Sequence, residues 1–140
     1  ALPDAPAPAA NYVPYVISGD LIFVSGQISK DAGGLITGKL GAGFTVQEGQ
    51  AAAKVCAINL LAQVKQALEG DLDRVTRVVK LGGFVNSTAD FTDHPKVING
   101  ASDFIGEVFG PKGAHARAAV GTASLALGVA VEIEGIFVFR

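Results

Sequence analysis

The sequence predicts an α+β fold in which a mainly antiparallel sheet carries two helices on one of its faces. Three observations lead there. Two segments repeat apolar residues every three or four positions. Several others are short, β-branched and of period two. Their order along the chain is β-β-α-β-α-β-β, which favours segregated helices over a parallel, doubly wound sheet.

The first eight residues, Ala1-Leu-Pro-Asp-Ala-Pro-Ala-Pro8, hold three prolines and no charged region followed by an apolar run. They read as neither strand nor signal peptide. Residues 1–11 are therefore expected to form an extended lead-in that orders only by docking, and residues 12–140 a single domain. Leu21 to Ile28 is the first clear strand, with a short partner near Ile36 after Gly33-Gly34. Thr45 followed by Glu48 is a capping-box pattern, in which each side chain satisfies an orphan amide of a first helical turn. Ala53, Ala57, Leu60, Leu61, Val64 and Leu68 then make one apolar stripe, and Gly70 ends it. A long β-branched strand follows over residues 74–86. The second helix starts near Asp93, with Pro95 in its first turn, where a missing N–H costs nothing. Its stripe runs through Val97, Ile98, Ala101, Phe104, Ile105 and Val108, and Gly110-Pro111 stops it. Residues 115–125 and 129–139 form a last pair of strands joined near Leu127-Gly128.

Several strands are apolar or small on both faces; Val78 to Val85 runs almost without a polar break. Two helices cover only one side of a sheet, and nothing else in the sequence covers the other. Self-association is the expectation, because a large uncovered apolar patch is unusual on a soluble monomer.

Composition narrows the function classes. The chain has 140 residues, 49% apolar and 17% charged, with a net charge of -2. Its lysines stand singly, so no cation cluster favours nucleic acid or an anionic membrane. No apolar run is long enough for a membrane span. Cys56 is the only cysteine, which excludes an intrachain disulfide and makes the reducing cytoplasm the simplest setting. It falls in an Ala-rich helical run and reads as a buried structural thiol. His94 and His115 lie in different elements, so no metal site is expected. Ser25-Gly26 lacks the flanking residues of a hydrolase elbow, and the glycines show neither dinucleotide nor phosphate-loop spacing.

Arg117 remains. It lies in a strand of small residues, with His115 and Ala119 on the same side. A guanidinium there either pairs with a structural acid, for which Glu132 and Glu134 are candidates, or waits for an anionic ligand. Spacing alone favours the salt bridge.

The residues also resemble a known family. Ala116-Arg-Ala-Ala-Val120, followed by Glu132-Ile-Glu134, is similar to the C-terminal signature of the Rid family (reactive intermediate deaminases, YjgF-like and RidA-related). Pro14-Tyr-Val16 and Phe23-Val-Ser-Gly-Gln-Ile28 are similar to its N-terminal signature. Val79-Lys-Leu-Gly-Gly-Phe84 and Val97-Ile-Asn99 fall where its central-strand and second-helix motifs stand. The resemblance covers almost the whole chain from Tyr12 onward. It implies a chorismate-mutase-like fold, with three subunits packed sheet to sheet as a barrel and ligand sites in the clefts between them. It implies hydrolysis of reactive enamines and imines, such as 2-aminoacrylate, to 2-keto acids and ammonia, without a cofactor. Arg117 matches the arginine that grips the substrate carboxylate. Tyr15, Ser25, Gly26, Asn99 and Glu132 match positions lining the cleft, with Glu132 placing the attacking water and Gly26 and Ala119 offering backbone N–H groups. His115 would face the same cleft or pack. Many members carry Cys at the position of Ala119, and Leu-Pro where this chain has Leu125-Ala126. The alternative is a trimer without catalysis that binds small carboxylates such as 2-keto acids and modulates a partner protein. A ribonuclease reading is opposed by the acidic balance.

Overall fold

The computed structural model describes residues 1–8 and 10–140. Strand β1 (Tyr15–Ser18) turns at Gly19 into β2 (Leu21–Ile28). Two very short strands, β3 (Lys30–Asp31) and β4 (Gly34–Leu35), form a separate hairpin. Helix α1 (Val46–Ala67) leads to β5 (Val75–Asn86), and α2 (His94–Phe109) to β6 (Ala116–Thr122) and β7 (Val131–Phe139). The main sheet has the order β1-β2-β7-β5-β6, with every pairing antiparallel except β5 with β6.

Both helices start and stop where the local chemistry dictates. Thr45 caps α1: its hydroxyl accepts from the Glu48 N–H at 3.1 Å, and the Glu48 carboxylate accepts from the Thr45 N–H at 2.9 Å. Gly70, at φ 96°, closes the far end with a bond from its N–H to the Lys65 carbonyl. Gly110, at φ 63°, ends α2. The helices bury Ala53, Cys56, Leu60, Leu61 and Val64 from α1, and Val97, Ile98, Ala101 and Ile105 from α2. These pack on Ile22, Val78, Leu81, Ile133 and Phe137 of the sheet. Each such large side chain contributes about 1.5–3 kcal/mol by leaving water.

Two sequence expectations change. The strand near Ile36 is only the β3–β4 hairpin, and the partner of β2 is β1, which sequence reading passed over. The last two strands are not neighbours. A short 3-10 turn (Ala126–Gly128) carries the chain away, and β7 inserts between β2 and β5 while β6 stays at the edge.

Residues aligned across the sheet share a face. Tyr15, Val24, Gly135, Leu81 and Arg117 form one row from edge to edge on the helix side. Ile28, Glu132, Phe84 and Val120 form a row on the opposite side. Among the described residues no helix covers that opposite side, where Val16, Phe23 and Val120 are 51%, 42% and 46% exposed. Among the described residues no helix is long and apolar enough to cross a membrane.

Candidate functional site

Arg117 projects from the edge strand β6 toward α2. Its Nη1 donates to Asn99 Oδ1 at 2.8 Å and to Ser102 Oγ at 3.2 Å, and Nη2 donates to the Pro95 carbonyl at 3.4 Å. All three acceptors are neutral. The structural salt bridge favoured by spacing is therefore corrected: Glu132 and Glu134 stand two strands away on the other face, separated by β5. Among the described residues the only ion pair is Lys96–Asp93.

His115 extends the same network. Its Nδ1 lies 2.6 Å from the Gly113 carbonyl, and its Nε2 lies 2.9 Å from Ser102 Oγ. A carbonyl only accepts, so Nδ1 carries a proton and donates to Gly113, and Nε2 is left to pair with the Ser102 hydroxyl. The chain Arg117–Ser102–His115–Gly113 holds the guanidinium in place and leaves its charge uncompensated. Ser102 escaped the sequence reading, although a serine three residues after Asn99 necessarily shares its helix face. Ala119 lies two residues along the strand on the same side and packs against the core.

A second group gathers around the β2 bulge. The register slips between Val24 and Gln27, leaving Ser25-Gly26 out of the ladder. Ser25 is fixed from the chain's own start: its N–H reaches the Pro14 carbonyl and its hydroxyl donates to the Val13 carbonyl at 2.7 Å. Glu132 lies over Gly26, where any Cβ would strike its carboxylate. Burial first, and the neighbouring Glu134 second, raise the Glu132 carboxyl above its ordinary value. Tyr15 pairs with Val24 and packs against the core from the helix side.

The expected site residues thus fall into separate sets within one chain. Asn99, His115, Arg117 and Ala119 share the α2–β6 side, and Ser25, Gly26 and Glu132 share the β2–β7 side. Tyr15 and Arg117 end one row four strand spacings apart, about 19 Å. No small ligand of one chain touches both.

Residues 1–133 match the family described as "YjgF/chorismate_mutase-like, putative endoribonuclease". The chain belongs to this family. Within and around the YjgF-like family, protein TCP17 of Trypanosoma cruzi is 58% identical over 137 residues, covering 96% of this chain and 85% of that protein. The crystal structure of Atu1372 from Agrobacterium tumefaciens, a protein of unknown function, has a TM-score of 0.91 at 51% identity, covering 96% of this chain and 86% of that one. TdcF of Escherichia coli, solved with bound serine, has a TM-score of 0.70 at 25% identity, covering 97% and 94%. The YjgF-like fold, two helices on an antiparallel-dominated sheet, is the architecture described above.

Proposed function

We propose that this YjgF-like protein hydrolyses small enamines and imines that carry a carboxylate, of the 2-aminoacrylate type, to 2-keto acids and ammonia. The observation that carries this reading is the Arg117 guanidinium, fixed by three neutral acceptors and, among the described residues, paired with no acid. Such a fork is preorganised for a planar carboxylate. The serine held by TdcF, an amino acid with the same carboxylate, is in keeping with it.

The separation of the two residue sets supports a reaction carried out between copies of the chain. We propose a homotrimer in which uncovered sheet faces pack together, burying Val16, Phe23 and Val120. Arg117 of one copy then meets Glu132, Ser25 and Gly26 of the next. The substrate's carboxylate binds Arg117, and its enamine tautomerises to the imine, whose carbon is already electrophilic. Glu132 takes a proton from water as the oxygen attacks that carbon. Glu132 returns that proton to the nitrogen, giving a neutral carbinolamine. The carbinolamine's hydroxyl proton then passes by way of Glu132 to the amine, the C–N bond breaks, and ammonia and the keto acid leave. Binding and orientation supply much of the acceleration, so no strong nucleophile is needed.

A second reading has its own support. Among the described residues every hydrogen-bond acceptor of Arg117 is neutral, which suits a trimer that only holds 2-keto acids and modulates a partner protein. The deciding assay generates 2-aminoacrylate from serine with a dehydratase, in the presence of semicarbazide as a competing trap. Accelerated pyruvate formation by the wild type and none by Arg117→Ala supports the deaminase. No acceleration by either, with a keto acid still raising the wild-type melting temperature, rejects it in favour of the binding trimer.

A further inference from the structure

A cleft of about 650 Å³ lies beyond the far end of β6, lined by none of the residues assigned above. Its polar lining comes from Lys39, Ser87, Thr88, His94 and Thr122, and the Phe91 ring forms an apolar wall. Lys39 is half-buried and drawn inward: Nζ donates to Asn86 Oδ1 at 2.8 Å and to the Ala123 carbonyl at 2.5 Å. Both acceptors are neutral, and among the described residues Lys39 enters no ion pair. The third Nζ proton and the whole positive charge are left for something else. A partly desolvated ammonium without a counterion is costly, and an anion in the cleft offsets that cost.

The rest of the cleft suits the same occupant. Ser87 is 6% exposed, and its Oγ sits 3.2 Å from His94 Nε2, while Phe91 meets the imidazole edge-on and fixes the ring plane. Gly121 is required beneath this pair, since a Cβ there would collide with both Ser87 Oγ and His94 Nε2. The carboxylates of the adjoining loop already have partners: Asp90 accepts from Thr88 Oγ1 at 2.6 Å, and Asp93 pairs with Lys96. Lys39 supplies an ammonium and Ser87 a hydroxyl, while the Thr88 and Thr122 hydroxyls are engaged with Asp90 and the Val85 carbonyl.

We propose that this cleft binds a small oxyanion, a carboxylate or a phosphate, through Lys39, with the Ser87 hydroxyl as a further donor while its oxygen accepts from His94 Nε2–H. It is a second anion site, independent of Arg117.

The two histidines of the chain make the test direct. Proton NMR follows the ring C–H signals of His94 and His115 while inorganic phosphate, and separately acetate, is titrated at constant ionic strength. A saturable shift of the His94 signal with at least one of the two anions is expected, and which anion produces it names the class. The shift persists in Arg117→Ala. In Lys39→Gln the apparent affinity falls about tenfold or more, the size of a lost charge-assisted hydrogen bond. The assignment is overturned if neither anion moves the wild-type His94 signal, if Lys39→Gln titrates like the wild type, or if Arg117→Ala abolishes the shift. Should Lys39→Gln not fold, Ser87→Ala takes its place, and an unchanged titration there is equally fatal.

Discussion

Arg117 and Glu132 point to opposite faces of one sheet, with β5 running between their strands. If they act on one substrate, they do so from different chains. Arg117→Ala and Glu132→Gln should each abolish turnover alone. Co-expressed in equal amounts, they should restore about a quarter of wild-type activity, because one site in four then receives both native residues. A mixture as inactive as its parents would mean that the two residues never share a site.

Glu132 also gives stability a pH dependence of defined sign. Its folded-state pKa is raised, first by burial and then by Glu134, so the folded chain holds a proton that the unfolded chain releases. The carboxylate then costs stability as pH rises from its ordinary value of 4.5 toward the raised one, and the cost stays constant above that. Glu132→Gln should raise the melting temperature at pH 7 and change it little at pH 4. An equal change at both pH values would contradict this.

Two glycines of α2 should respond oppositely to alanine. A Cβ at Gly100 would strike the Gln50 backbone carbonyl of α1, so the helices cannot keep their spacing. Gly100→Ala should cost about 1–3 kcal/mol in chemical denaturation. Gly106 has open space around its Cβ direction, and Gly106→Ala should stabilise by about 0.5–1 kcal/mol. Similar losses from both would show that helix spacing is not what Gly100 protects.

Cys56 is fully buried, and its thiol lies 3.4 Å from the Val131 carbonyl. Burial, then the charge of Glu132, pushes its pKa well above the ordinary value, so almost no thiolate forms. Ellman's reagent should leave the native protein untouched and react once per chain in denaturant. Fast reaction with the native fold would exclude a sealed thiol.

Local signals were legible in the sequence, and long-range ones were not. Thr45 with Glu48, and Gly110 before Pro111, mark helix ends because a cap is made by residues a few positions apart. The alternation from Val131 to Phe139 gave the correct faces for the same reason. Strand neighbours are another matter: nothing near residues 115–139 records that β7 leaves β6 and crosses to β2. That single fact separates Arg117 from the acids assigned to it. Tyr15–Ser18 was missed because four residues, three of them exposed, carry too little pattern. The Lys39 cleft was invisible for a plainer reason: Lys39, Ser87 and His94 meet only once β5 and α2 are in place.

The central seat of β7 bears on how the chain is made. During synthesis β2, α1 and β5 emerge first, yet β2 and β5 have no bond to each other and must wait for residues 131–139 to fill the gap. Until then a slot flanked by Ile22, Val24, Val78 and Leu81 stands open, apolar and edged by unpaired backbone on both sides. A ribosome stalled before that strand would display a ready acceptor for any stray β-segment, and a nascent chain at that point is a natural client for a holding chaperone.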